Sequence, residues 1–428
     1  MSTVTLKAGK DPGNITTKIS FINKDGNIDN FEIATVIAEA PATAVNYGGG
    51  VDGNTEIPAE DYIHARVNSG SLDRSENNLT WFVGELAKNA ENKVQPHLED
   101  ETADAKFSDD NRALFIIPVL TGMAIAALKN DETIVNVPLS IGVPSENYLK
   151  QEQSLKSRFI GQHKIDFIDG PYANKSVEIN IEEDTAQIHA ESVTTALALQ
   201  YDIEKNVLVE NKFFEPIKGQ TYTVADLGAG TNDYAVFNQS GLDKVLTRQF
   251  TNNGSAGTNV YIDRIINDVY NDEAFSKQRE IIEKQNNIKL KPAELTSRET
   301  FMKKIVKPVI KKVVNFETGE INDEEVKFTF SWANQKNVDI TKHVKKHMTD
   351  YANTQIEALQ GAWLNANTEH MIAVGGGVLF GYLGGLNKLK DEGIKVPDLK
   401  TSQYFTSKSY TIAAYLMNLS KQQDAVKQ

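Results

Sequence analysis

Val224-Ala225-Asp226-Leu227-Gly228-Ala229-Gly230-Thr231-Asn232-Asp233-Tyr234-Ala235-Val236-Phe237 decides how this chain is read. A β-favouring run, 221–225, leads into an aspartate; a glycine turn follows, and a second apolar run leaves it. Glycine lets a backbone take conformations closed to other residues and approach a ligand closely. Successive amides in such a turn form an anion-binding nest. The aspartate at the strand end is placed to hold a cation against that anion. The stretch reads as a phosphate-and-metal hairpin, with a plain hairpin as the bland alternative.

The same device stands near the N-terminus. In Asp11-Pro12-Gly13-Asn14-Ile15-Thr16-Thr17-Lys18-Ile19-Ser20-Phe21 the aspartate again leads, glycine stands two later and threonine five later. The position seven later is Lys18 here and Asp233 in the other copy. Asp-Pro-Gly alone is ordinary turn chemistry. Two copies, one in each half, suggest a duplicated fold that clamps one nucleotide between its halves.

The 428 residues allow two to four structural units. A composition of 40% hydrophobic and 24% charged residues is ordinary for a globular chain. The net charge of −13 argues against broad nucleic-acid binding, which rests on neutralising phosphates, so no direct nucleic-acid contact is expected. There is no cysteine, hence no disulfide framework and no thiolate metal site. No N-terminal apolar segment resembles a signal peptide, and no run approaches the roughly 20 apolar residues of a membrane span. A cytoplasmic chain with no membrane partner is expected.

Strands are expected at 4–8, 18–23 and 31–38. The polar segment 45–78, with Gly48-Gly49-Gly50, reads as an insertion outside the core. Residues 89–110 read as a charged, exposed stretch. Residues 114–128 form a buried helix, 133–142 a single strand, and 184–199 a helical stretch containing Glu191. In the second half 244–250 reads as a strand. The turn 254–259 opens a helix over 260–270 with Thr258 as its N-cap. A helix spans 340–364. The strand 371–374 meets Gly375-Gly376-Gly377, which opens a helix over 378–390. A last helix spans 410–419, with a frayed tail over 421–428.

The glycine triplet suits a phosphate or nucleoside lying against backbone, or equally close helix–strand packing. Glu191 could position water or act as a base, though on spacing alone the preferred reading is an acid favoured by the helix dipole. His343 and His347 have a zinc-like spacing; lysines fill the gap, so a solvated basic helix face is the better reading. Asn174-Lys175-Ser176 lacks both P-loop glycines.

These motifs resemble the actin-fold nucleotidases, which include actin, the DnaK-type chaperones and bacterial actin-like filament proteins. Asp11-x-Gly13 with Lys18 is similar to the family's first phosphate loop, and Asp226-x-Gly228-x-Gly230-Thr231 to its second. Glu191-Ser192-Val193-Thr194-Thr195-Ala196-Leu197-Ala198 resembles the chaperones' connecting helix. Ala256-Gly257-Thr258-Asn259-Val260 resembles actin's Ala-Gly-Arg-Asp-Leu, and Val374-Gly375-Gly376-Gly377 the adenosine motif. The likeness runs the length of the chain in the family's order. Trp81-Phe82-Val83-Gly84-Glu85-Leu86-Ala87 and Pro138-Leu139-Ser140-Ile141-Gly142-Val143-Pro144 further resemble plasmid-segregating actins of the ParM and Alp type. Two features depart from the pattern: Lys10 stands where the family has an apolar strand residue, and Ser407-Lys408-Ser409-Tyr410 lacks the second connecting motif.

The resemblance implies an α/β, actin-like (ribonuclease H-like, duplicated) fold with two lobes around a nucleotide cleft. The first lobe would be 1–205 with a small insertion at about 39–80. The second would be 206–400 with a subdomain at about 260–350, and 401–428 would return to the first. It implies a filament-forming ATPase or GTPase that segregates plasmid DNA, using ATP or GTP with Mg²⁺. Its partners would be further copies of itself and a DNA-binding adaptor at a plasmid centromere. Asp11 and Asp226 would hold magnesium through water and act with Glu191, which would orient the attacking water. Gly13, Asn14, Ile15, Thr16 and Lys18 would bind nucleotide from the first loop, and Gly228, Ala229, Gly230, Thr231 and Asn232 from the second. Gly257, Thr258, Gly375, Gly376 and Gly377 would complete the site. A small-molecule kinase on this fold, another bacterial cytoskeletal actin and a non-enzymatic scaffold are the alternatives.

Overall fold

The computed structural model describes residues 4–41, 57–96, 112–143, 148–250, 257–286, 295, 297–332 and 335–427. The chain divides into two compact units, Met1–Lys218 with Tyr404–Gln428, and Gly219–Gln403.

In the first unit, Ala8–Pro12, Thr16–Ile22 and Ile28–Ala34 form an antiparallel ladder. Leu139–Val143 and Ala186–Ala190 extend it in parallel to make five strands. A second sheet of seven strands carries Ile63–Ser69 between Gly161–Asp169 and Thr80–Val83. The helix Arg112–Lys129 is apolar on all sides because it is enclosed: every residue from Ala113 to Leu128 is buried. It is long and apolar enough to cross a membrane, yet it lies inside this core. Gly122 lets it approach the sheet, since a Cβ there would stand 2.8 Å from Ile19. The helix Phe405–Lys427 lies on the five-stranded sheet, where the Gly9 amide donates to Thr411 Oγ1 at 3.0 Å and the Ser20 and Ser407 hydroxyls meet at 2.7 Å.

The second unit is built on four strands, in the order Gly241–Leu242, Asn232–Asn238, Tyr222–Leu227, His370–Val374. Tyr222–Leu227 is antiparallel to Asn232–Asn238 and parallel to His370–Val374. The helix Thr341–Ala366 buries Val344, Met348, Tyr351 with Ala352, Gln355 and Leu359, a face that recurs every three to four residues.

Several expected elements differ. The segment 45–78 is not all outside the core. Residues 63–69 are a central strand with Ile63, Ala65 and Val67 fully buried, as their two-residue alternation allows. Gly48 to Gly50 lie outside the described residues, as do 97–110 and 251–256. The single strands expected at 31–38 and 133–142 each break in two, and the halves enter different sheets. The second break falls at Val137-Pro138, where proline has no N–H for a ladder. Residues 186–190 are a strand, and the helix begins only at Glu191. Lys244–Phe250 is a helix, because Asp243 Oδ1 accepts the Val245 and Leu246 amides at 3.1 and 3.0 Å and so caps it. The helix after the glycine triplet stops at Gly381 and gives way to 3₁₀ turns around Gly385, whose φ is +139°. The closing helix continues through Lys427 instead of fraying at 421.

Candidate functional site

The two Asp-x-Gly hairpins fold in the same register. Asp11 pairs across the ladder with Lys18, and Asp226 with Asp233. Gly13 N–H donates to Thr16 O at 3.0 Å and Gly228 N–H to Thr231 O at 2.9 Å, so these two amides close the turns and are not available to an anion. Neither glycine has a positive φ. Each is required for space, since a Cβ would stand 2.7 Å from Thr16 O or 2.5 Å from Thr231 O.

Both turns have their carbonyls tied back. Gly13 O accepts the Thr35 hydroxyl at 2.7 Å and Ile15 O accepts the Thr35 amide at 3.0 Å. In the second turn Gly228 O accepts the Thr258 amide at 3.3 Å, and Ala229 O accepts the Asn259 amide at 2.9 Å. A trans peptide is planar, with its C=O and N–H pointing opposite ways, and no cis bond occurs among the described residues. The N–H groups of Asn14, Ala229 and Gly230 therefore point away from these buttresses. Both turns turn donors outward.

Thr258 does not cap its helix. Gly257 is the N-cap, without a side-chain bond, and the first amides of Thr258–Tyr270 are spent on the turn. A Cβ on Gly257 would collide with Ala229 O, so glycine permits this docking. In the glycine triplet, Gly375 has φ +95° and its Cβ would collide with Asp226 Oδ1; a Cβ on Gly377 would collide with the Tyr351 hydroxyl. Packing accounts for these two. A Cβ on Gly376 would meet nothing nearer than Gln403 Cβ at 3.9 Å, so packing does not account for it.

Asp226 ends one strand and Gly375 follows its parallel neighbour, with Asp226 in register with Val374. In the first unit Asp11 and Glu191 lie at the carboxyl edge of three parallel strands, Ala8–Pro12, Leu139–Val143 and Ala186–Ala190. Ligands of open α/β sheets bind outside that edge. The structure thus gathers Asp226, the second turn, Gly257, Thr258 and the triplet within one unit, and the first turn with Glu191 within the other.

Charge is arranged differently in the two hairpins. The Lys18 ammonium lies 3.2 Å from Asp11 Oδ2, both largely buried. Lys10 is fully buried, with its amine 3.2 Å from Pro138 O, and burial pushes it down to about 7. His189, 2.8 Å from the Ser140 hydroxyl, is pushed down to about 4 by burial and by the charge of Lys10. In the second hairpin the Thr231 hydroxyl donates to Asp233 at 2.9 Å. Beneath it Asn232 Nδ2 donates to Gln355 Oε1 at 2.6 Å, both residues buried.

The zinc-like histidines are carboxylate partners instead: His343 meets Asp272 at 3.0 Å and His347 meets Asp268 at 2.8 Å. His347 is buried, not on a solvated face. No group of three metal-ligating side chains occurs among the described residues. Sequence reasoning missed Thr35, Asn259 and Gln355. Asn259 stands within the quoted motif 256–260 but was not singled out, whereas Thr35 and Gln355 belong to no motif; each reaches its turn from elsewhere in the chain.

A family model described as "Actin like proteins N terminal domain" matches residues 9–193. Among solved structures, Bacillus thuringiensis ParM with ATP is 33% identical over 97% of this chain and 99% of its own, with a TM-score of 0.71. The same protein with ADP is 33% identical over 97% and 99%, with a TM-score of 0.69. The actin-like protein Alp7A shares the fold at 14% identity, over 99% and 100% of the two chains and a TM-score of 0.63. No match is found among the curated proteins.

Proposed function

The chain belongs to the actin-like proteins of the ParM type, and from that premise we propose that it binds and hydrolyses ATP or GTP and assembles into filaments that segregate plasmid DNA. The observation that carries the reading is the pair of tied-back turns. Two loops far apart in sequence, each after an aspartate at a strand end, spend their carbonyls on a buttress and point amides outward. That suits phosphate. The open side of Gly376 fits a ligand lying on backbone, and Bacillus thuringiensis ParM, the relative at 33% identity, has been solved with ATP.

The donor set also fits magnesium. Asp226 and Asp233 are direct cross-strand neighbours, an unfavourable juxtaposition of like charges that an oxygen-seeking cation would relieve. Asp226 and Asp11 would hold the ion through its waters, and the ion would neutralise charge on phosphate oxygens. Asn14, Ala229 and Gly230 would donate to phosphate, Lys18 would offset its charge, and Glu191 would orient water. Phosphoryl transfer is largely such positioning and electrostatics. An adaptor protein on the plasmid would join filament to DNA, in keeping with the net charge of −13.

Light scattering with ATP, GTP or neither is the test. Nucleotide-dependent rise followed by decay is expected; a flat trace in all three would refute assembly. Glu191→Ala should slow turnover by about 10²–10⁴-fold while nucleotide titration stays near the parent curve. Unchanged turnover would remove Glu191 from its role.

A further inference from the structure

The buried face of Thr341–Ala366 carries two polar residues, His347, which meets Asp268, and Gln355. Val344, Met348, Tyr351, Ala352 and Leu359 are apolar or aromatic, while Gln355, in the same stripe, is a fully buried amide. A buried amide costs free energy unless it is hydrogen-bonded. Gln355 Oε1 accepts Asn232 Nδ2 at 2.6 Å. Asn232 is 3% exposed, and its Oδ1 accepts from no described residue. Asn232 follows Thr231 directly and is in register with Leu227, so it closes the second turn where its strands begin.

The same helical turn meets two other parts of the site. The Tyr351 hydroxyl occupies the space where a Cβ on Gly377 would stand. Thr354 Oγ1 accepts the Tyr261 hydroxyl at 3.2 Å, and Tyr261 lies on the helix whose first amides hold Gly228 O and Ala229 O. The turn 228–231 is thus held from its carbonyl side by one helix and from its strand end by Gln355.

We propose that Gln355 is a positioning residue for phosphate binding: it fixes Asn232, and through Asn232 the backbone whose amides face the ligand. The proposal rests on the nucleotide reading above. A directional hydrogen bond in a low-dielectric interior specifies one geometry where apolar packing would tolerate several.

The test separates positioning from packing. Gln355→Met keeps the volume and removes the acceptor. It should weaken Mg-ATP binding by about tenfold or more, the scale of one lost buried hydrogen bond. It should also speed hydrogen exchange of the 228–232 amides in the nucleotide-free chain. The double variant Asn232→Leu/Gln355→Met replaces both partners by apolar groups, which is often near neutral for stability. It should melt above Gln355→Met but not recover the parental affinity. Parental affinity in the double variant, or unchanged exchange in Gln355→Met, would overturn the proposal. If the parent binds no nucleotide while exchange still rises in Gln355→Met, the functional reading fails and the positioning of the turn stands.

Discussion

The hairpin Ala8–Pro12/Thr16–Ile22 and the hairpin Tyr222–Leu227/Asn232–Asn238 share a register and a turn closure, but their charges differ. Around Asp11 stand Lys10 and Lys18; at the equivalent places around Asp226 stand Ala225 and Asp233. The first hairpin carries its own countercharge, with Lys18 on Asp11 at 3.2 Å. The second sets two carboxylates in direct cross-strand register, Asp226 opposite Asp233. Duplication has kept the backbone device and divided the electrostatics: one turn sets an aspartate opposite a lysine, the other sets it opposite a second aspartate.

That asymmetry is most exposed by removing each aspartate. Asp226→Ala should weaken Mg-nucleotide binding by at least about 100-fold, since the site loses the carboxylate proposed to hold the ion through its waters. Asp11→Ala should cost about tenfold or less, because it also frees the Lys18 ammonium to meet phosphate. Equal losses in a titration of the two variants would break the comparison.

Lys10 gives the next largest effect, and it concerns stability. Its folded value of about 7 lies below the ordinary 10.5. Between those two values the unfolded chain holds the proton that the folded chain has lost, so stability should rise as pH climbs from about 7 toward 10.5. Below about 7 both states are charged, and folding bears the full cost of burying an ammonium. Lys10→Met should therefore stabilise the chain at neutral pH by on the order of 2–4 kcal/mol and flatten the rise above pH 7. Chemical denaturation at pH 6, 8 and 10 would measure both. A variant as pH-dependent as the parent would show that another group titrates.

The sequence exposed what depends on neighbours. Asp, Gly and Thr at fixed short offsets announced both turns, because a turn is made by consecutive residues. The triplet 375–377 was visible for the same reason. Its division of labour was not: only the packed structure shows that Gly375 and Gly377 make room for Asp226 and Tyr351 while Gly376 faces open space. Thr35 and Gln355 reach their turns across 22 and 123 residues, and nothing local distinguishes them from any other threonine or glutamine. Helix and strand were confused at 244–250, where a short apolar run suits either until the Asp243 cap is seen. The strand 63–69 was hidden by the polar residues on its other face, His64, Arg66 and Asn68.

The smallest expected effect tests the buttresses. The first turn is tied back by a single residue, Thr35, through its hydroxyl to Gly13 O and its amide to Ile15 O. The second is tied by a helix that brings two amides together. Thr35→Val keeps the shape and the amide but removes the hydroxyl, leaving Gly13 O with one bond fewer. The cost should be about 1 kcal/mol, and it should be local. Gly13 and Asn14 amides should exchange faster, and nucleotide binding should weaken only a few-fold. Thr258→Val changes no amide of the second turn's buttress, so exchange over 228–230 should stay at the parental rate. If both substitutions loosened their turns alike, the second buttress would depend on its side chain after all, and the contrast between a one-residue tie and a helix end would be lost.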